Sequence, residues 1–270
     1  METDAAQVLA DIFNNIDLFA LVFLRLVGFM AIAPLFSGPT FPAMAKAGFG
    51  LSFAALTVLS GAVTAPIITG GLVEYFAVIA GEFFTGFMIG FIVYLMFAVF
   101  YYVGQLSDYQ IGFSMVSVMD PMNQVQAPIT GNLYYFVFLA FFVVSGGLRG
   151  VLLQLFNTYE LIPPGKAFIV GNTGLLAHVF YMMGGYFELG LKIAMPVIAA
   201  IIVIDVVLGV LVKASPQMNV FAVGMPVKVG VGLIIMWLMA PVMEDLMYRP
   251  FEERLFQNLY DVIRGLAPIP

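Results

Sequence analysis

The sequence predicts an all-α, membrane-type bundle of long, kinked helical hairpins. Three observations lead there. First, the 270-residue chain is 62% hydrophobic and only 10% charged, with a mean hydropathy of +1.04. Soluble domains carry about 25% charged residues, so too few polar side chains exist here to cover an aqueous surface. Second, the apolar residues run in charge-poor windows long enough to cross a bilayer as helices, which takes about 20 residues. Third, 27 Phe and 17 Met supply bulky, adaptable filling, and 27 Gly permit close helix approach.

Each element follows from these windows and from the residues that interrupt them. The first window, Ile16 to Phe36, contains Arg25 and is ended by Pro34, Ser37-Gly38-Pro39 and Pro42. The second lies between Lys46 and Glu74 and is broken near Pro66 and Gly70-Gly71. The third runs from about Leu72 to Val103, with Glu74 and Glu82 near its start. The fourth runs from about Leu133 to Thr158 with Arg149 past its middle, and Pro163-Pro164-Gly165 then turns the chain. The fifth, about Gly174 to Val212, would be nearly 60 Å long at about 1.5 Å per residue, twice the hydrocarbon thickness. Pro196 in its middle predicts two helical pieces, or one kinked helix that leaves the bilayer. The sixth spans about Val220 to Met243, with Pro226 near its start. The tail, Glu244 to Pro270, is charged and amphipathic and reads as an interfacial or cytoplasmic helix. No linker or repeat divides the segments, so residues 1–270 are expected to form one domain.

Several classes of chemistry are poor readings. Ten Lys+Arg against sixteen Asp+Glu give a net charge of −6, which is no footprint for nucleic acid. With no cysteine and one histidine, His178, thiolate and His-based metal sites are not expected. No phosphate loop, dinucleotide fingerprint or metalloprotease motif is present, so the expectation is no metal, no cofactor and no enzymatic activity. His178 lies in an apolar run and reads as a packing residue, because a general base needs a positioned partner. The first 24 residues hold acids and no Lys or Arg, unlike a signal peptide, so the chain is expected to begin as the mature protein does. Arg249, Arg254 and Arg264 place the C-terminus in the cytoplasm by the positive-inside rule, with the acidic N-terminus opposite.

The informative residues are charges at membrane depth, because they are expensive in hydrocarbon. Arg25 stands in the first segment; Glu188 and Lys192, four apart, can pair along one helix face. Asp205 and Lys213 share a face two turns apart, too far for direct contact. These charges serve either a proton or ion path or contacts with neighbouring subunits, and the sparse titratable set favours contacts. Gly86-x-x-x-Gly90 and Gly146-x-x-x-Gly150 fit close helix packing or chance in a glycine-rich chain. Between Tyr102 and Asn132, Gly, Pro, Asp, Asn and Gln alternate with apolar residues. That segment is either an ordinary loop or a re-entrant, pore-facing one, since irregular backbone at membrane depth survives only against protein or a cavity.

Two stretches carry a family likeness. One is Gly112-Phe113-Ser114-Met115-Val116-Ser117-Val118-Met119-Asp120-Pro121, followed by Gln126. The other runs from Asp205 through Gly209-Val210-Leu211-Val212-Lys213-Ala214-Ser215-Pro216-Gln217-Met218-Asn219-Val220-Phe221 to Pro226-Val227-Lys228. With Arg25-Leu26-Val27-Gly28 and Ala33-Pro34-Leu35-Phe36, they resemble the FliR family of flagellar export-gate subunits, which includes the T-type subunits of virulence type III secretion. Lys213 stands where the family commonly has Arg, which keeps the charge but weakens bidentate pairing.

The resemblance implies a core subunit of the export gate, in the bacterial inner membrane at the flagellar basal body. It implies assembly with P-type and Q-type subunits (FliP and FliQ), with FlhB-type and FlhA-type export proteins nearby and the basal-body ring and lipid around. Unfolded flagellar proteins would be the cargo. Residues of about 1–170 would match a P-type subunit, about 171–245 a Q-type subunit, and 246–270 a charged tail, with the whole raised above the bilayer plane. Gly112 to Pro121 would form a plug in the closed channel. Arg25, Glu188, Lys192, Asp205, Lys213, Pro216, Gln217 and Asn219 would be subunit contacts or buried charges. The alternatives are a virulence-system equivalent or a small-solute transporter; the latter expects two repeated halves with matching broken helices, and none is visible.

Overall fold

Pro34, Ser60-Gly61, Gly112 and Ser145-Gly146 punctuate the first half of the chain, and each stands where a helix stops. The computed structural model describes residues 15–38, 41–61, 63, 71–113, 128–166, 173–217, 219–243 and 249–266. Among these, all regular elements are helices: α1 (Ile16–Ile32), α2 (Pro34–Ser37), α3 (Ala43–Leu59), α4 (Gly71–Ile111), α5 (Ile129–Val144), α6 (Gly147–Leu161), α7 (Thr173–Ala214), α8 (Val220–Met243) and α9 (Arg249–Leu266). The all-α expectation therefore stands; a re-entrant loop at Ser114 to Pro121 falls outside the described residues.

Some boundaries differ from the sequence reading, for local reasons. The second segment is the helix α3, which ends at Leu59 because Gly61 turns the chain at φ 66°. Helix α4 runs on to Ile111, eight residues past the expected end, so Asp108 is helical rather than in a loop. The fourth segment is broken into α5 and α6 at Gly146, where φ is 88°. Helix α7 is one element of 42 residues with Pro196 within it, the single-helix alternative of the two left open by the sequence. Three described helices, α4, α7 and α8, are long and apolar enough to cross a membrane, or four if the α5–α6 pair counts as one.

The chain divides into two compact units, each assembled from separate stretches. The first takes Met1–Leu95, Leu148–Met182 and Arg254–Pro270. Its centre is a crossing of α1 on the first part of α4, where a Cβ at Gly28 would strike the Phe83 carbonyl and one at Gly86 the Arg25 carbonyl. Side-chain-free positions on both helices let the backbones touch, as small residues do between membrane helices. Gly90 completes the row against the Phe29 carbonyl. Leu18 and Val22 of α1 pack on Ala54 and Val58 of α3. The tail helix α9 is strongly amphipathic, and Leu255, Leu259, Val262 and Ile263 are fully buried in this unit. Phe256 lies against Gly150 of α6. The apolar face of the tail helix is thus occupied by protein.

The second unit takes Met96–Gly147 and Met183–Glu253. Phe97 meets Phe138 and Phe142 of α5 edge-on at 4.9 and 5.3 Å, and Phe100 stacks on Phe138 at 3.9 Å. Gly104 and Gly131 bring α4 and α5 into backbone contact. Helix α7 seats Gly190 on Val99 and Val103, and α8 seats Gly232 on Ile111. The chain buries 61% of the spanning window of α4 but only 17% of those of α7 and α8. Val203, Val206 and Val210 of α7, and Trp237 of α8, lie open.

Candidate functional site

Arg25 is fully buried in the first unit. Its Nε donates to Glu82 Oε2 at 2.7 Å, its Nη1 to Thr158 Oγ1 at 2.9 Å and its Nη2 to the Ile162 carbonyl at 3.0 Å. The guanidinium lies 4.2 Å from the centre of the Tyr159 ring, a cation–π contact. The second oxygen of Glu82 accepts the Gly165 N–H at 2.8 Å. One ion pair thus ties α1 to α4, and each partner's spare groups hold the end of α6 and the Pro163-Pro164-Gly165 turn. A buried pair survives in a low-dielectric interior only when its remaining donors and acceptors are satisfied in this way.

A second buried node joins α4 to α5. The Thr130 N–H lies 3.2 Å from each Asp108 carboxylate oxygen. The Thr130 hydroxyl bonds Asp108 Oδ1 and lies 2.9 Å from the Gly104 carbonyl. The carboxylate sits at the N-terminal end of α5, whose first amides have no partner within the helix. On the other side, the Asp108 carbonyl accepts the N–H groups of both Gly112 and Phe113 at 3.0 Å. Gly112, at φ 98°, ends α4 there, the usual role of glycine beyond a helix end.

The α7–α8 hairpin carries partly exposed pairs. Lys192 Nζ lies 2.5 Å from Glu188 Oε1, with both side chains about two-thirds exposed. Asp205 pairs with Lys228 of α8, across the hairpin. Lys213, Pro216, Gln217 and Asn219 are exposed at the α7–α8 connection. Asn219 Oδ1 accepts the Ala222 N–H at 3.3 Å, so this motif residue is the N-cap of α8. His178 Nε2 lies 3.9 Å from Asp261 Oδ2.

Of the residues singled out by sequence, Arg25 is a buried charge with partners inside its own chain. Gly112 and Phe113 lie at the described end of their segment, whereas Ser114, Met115, Val116, Ser117, Val118, Met119, Asp120 and Pro121 lie outside the described residues. Sequence reasoning does not reach Glu82, Asp108, Thr130, Thr158 or the pairing of Lys228 with Asp205. A signal for Glu82 does exist: it and Arg25 are opposite charges, each inside an apolar window. The groove between α3 and α6, lined by Phe53, Leu56, Leu152 and Phe156 with Arg149, brings no acid–base pair together. Polar groups here hold backbones in place, and apolar surface is left open on two long helices.

These features define a class: a helical membrane protein with internally latched helices and a long hairpin whose apolar surface lies open. The sequence matches the family described as bacterial export proteins, family 1, over residues 16–254, and the chain belongs to that family. It is 30% identical over 220 residues to the flagellar biosynthetic protein FliR of Bacillus subtilis (strain 168), covering 81% of this chain and 84% of that one. It is 29% identical over 236 residues to the FliR of Aquifex aeolicus (strain VF5), covering 86% and 89%. A secretion system apparatus protein, SsaT of Salmonella typhimurium, is 26% identical over 155 residues, covering 57% and 60%.

Proposed function

We propose that this chain is a subunit of a type III export gate, an inner-membrane assembly that passes unfolded flagellar proteins, and that it acts without catalysis as one domain. The observation that carries the reading, beside family membership, is the open apolar surface of α7 and α8. A surface of that size calls for lipid or apolar protein. The partners of this reading are P-type and Q-type subunits, with FlhB-type and FlhA-type proteins beside them. Residues of about 1–170 act as a P-like part, about 171–245 as a Q-like part and 246–270 as a tail. Arg25 is a buried charge that holds the chain's own fold. Glu188, Lys192, Asp205, Lys213, Pro216, Gln217 and Asn219 face neighbours. The gate stands in the basal body, raised above the bilayer plane, so that a helix as long as α7 is surrounded by protein.

Gly112 to Pro121 is the plug in this reading, with Phe113, Met115, Val116 and Met119 sealing the channel. Apolar constrictions exclude water and ions, and Met and Phe can repack around a passing chain. Purification in mild detergent tests the assembly: the chain should emerge in a large hetero-oligomer with other short apolar proteins. A monomer or small homo-oligomer would overturn it. Deleting Ser114 to Val118 should leave assembly intact and raise leakage of small ions. Lost assembly with no rise in leakage would make the segment a structural loop.

A further inference from the structure

We propose that the groove between α3 and α6 is a lipid site: it holds one acyl chain of an anionic phospholipid, whose phosphate is met by Arg149. The inference goes beyond the export-gate reading and does not depend on it.

The groove lies within the first compact unit and has a volume of about 410 Å³. Phe53 and Leu56 of α3 form one wall, and Leu152, Leu153 and Phe156 of α6 form the other. Positions 149, 152, 153 and 156 are spaced i, i+3, i+4 and i+7, so all four stand on one face of α6. Arg149 is in the first turn of that helix and is the one charged residue among those lining the groove. From Arg149 to Phe156 this face is about 10 Å long at roughly 1.5 Å per residue, two-thirds of a hydrocarbon leaflet of about 15 Å. An apolar trough with a cation at one end has the layout of a phospholipid, with a charged head and an apolar tail.

The polar groups select an acyl chain over an extended peptide. Thr57 is the other polar residue lining the groove; it is buried, and its hydroxyl donates to the Phe53 carbonyl at 2.9 Å. Beyond Arg149, no side chain is left to pair with peptide amides, and amides buried without partners are costly. An acyl chain has no such groups to satisfy. Arg149 itself is exposed, and among the described residues its side chain makes no hydrogen bond or ion pair. That contrasts with Arg25, whose three nitrogens are all engaged inside the fold. A planar guanidinium with its donors unspent suits a phosphate.

The position along the chain fits the same ligand. Gly150, the next residue, lies against Phe256 of α9, so Arg149 stands beside the helix that carries Arg254 and Arg264. The positive-inside rule assigns that end of the molecule to the cytoplasmic face. Anionic lipid headgroups there attract arginine, with an effect of about fivefold for each cation near the surface.

The experiment uses the full-length chain extracted in mild detergent with whatever co-purifies. Native mass spectrometry counts bound lipid as dioleoylphosphatidylglycerol or dioleoylphosphatidylcholine is titrated in. Phosphatidylglycerol should occupy the groove at least about fivefold more tightly than phosphatidylcholine. Arg149→Gln should abolish that preference, and Arg149→Lys should keep part of it. Arg264→Gln, an equal charge change at an exposed site of α9, should leave it intact. Leu56→Asn combined with Leu153→Asn, at two exposed lining positions, should weaken both lipids at least about fivefold. A preference that survives Arg149→Gln, or binding untouched by the leucine pair, would overturn the proposal. A photoreactive benzophenone side chain in place of Leu153 tests the occupant in the membrane. It should add the mass of a phospholipid; attachment to another polypeptide in place of lipid would make the groove a subunit interface and the lipid site wrong. Should the leucine pair fail to fold, this cross-link decides.

Discussion

Arg25 and Glu82, 57 positions apart in sequence, form a fully buried ion pair with 2.7 Å between Nε and Oε2. Removing one member of such a pair strands the other charge and costs about 3–5 kcal/mol, whereas an apolar replacement of both is often tolerated. Arg25→Met and Glu82→Leu should therefore each lower the unfolding temperature sharply in detergent, and the double variant should recover most of the loss. Arg25→Lys should not restore stability, because an ammonium cannot reach Glu82, Thr158 and the Ile162 carbonyl in the same planar array. Single variants as stable as the starting protein would refute this account.

The α1–α4 crossing makes a second expectation. A methyl group on Gly86 would meet the Arg25 carbonyl, and one on Gly28 the Phe83 carbonyl. Backbone cannot rotate aside as a side chain can, so Gly86→Ala and Gly28→Ala should destabilise by about 1–3 kcal/mol. Gly184→Ala is the contrast. A methyl group on that helical glycine would meet nothing within 4 Å, so Ala should stabilise slightly, by about 0.5–1 kcal/mol. Thermal unfolding of the three variants separates the cases.

For the hairpin, Asp205→Leu removes the carboxylate that pairs with Lys228 at a partly buried site. It should lower recovery of the hetero-oligomer more than it changes ion movement. The exchange Asp205→Lys with Lys228→Asp should restore recovery, since the pair is kept with its charges reversed. An exchange variant as defective as the single ones would show that these positions are recognised individually by a neighbour.

Asn219 supplies the cap of α8, and replacing a capping Asn with Ala costs about 1 kcal/mol. Asn219→Ala should reduce hairpin stability by that amount, with Asn219→Ser close to neutral. Hydrogen exchange of the first α8 amides, Ala222 and Val223, reads the effect directly.

His178→Ala should leave export near normal. His178 Nε2 is buried and lies 3.9 Å from a half-exposed Asp261 carboxylate, too far for the hydrogen bond a general base needs. Export measured by secreted substrate should fall by less than half; complete loss with intact assembly would reveal a proton-handling role.

Composition and punctuation make the helical class readable, because few charges and long apolar windows leave a chain little choice. The sixth segment is legible to its ends, since Ser215-Pro216 stops α7 and Asn219 starts α8. The sequence leaves the continuity of α7 open between two pieces and one helix, because a proline removes one hydrogen bond and so permits a kink as readily as a break. Asp108 reads as a loop residue for a related reason: the run of Gly, Asp and Pro after it signals irregular backbone, and nothing local says that the helix persists for two more turns. Arg25 stands out as costly in the sequence, but its partner does not. An i,i+4 spacing shows a pair such as Glu188 and Lys192, whereas a contact across 57 positions depends on how α1 and α4 cross.

The docking of α9 sets a timetable for synthesis. The first unit begins near the N-terminus, yet it is closed by Leu255, Leu259, Val262 and Ile263 from the last helix. Phe256 reaches the ribosome's exit about a hundred residues after its neighbour Gly150, which at roughly 5–20 residues per second is a delay of about 5–20 s. During that interval the growing chain carries an uncovered apolar seat on α6. A nonsense codon at positions 249–255, before Phe256, would leave that seat permanently vacant, although every apolar window had already been inserted.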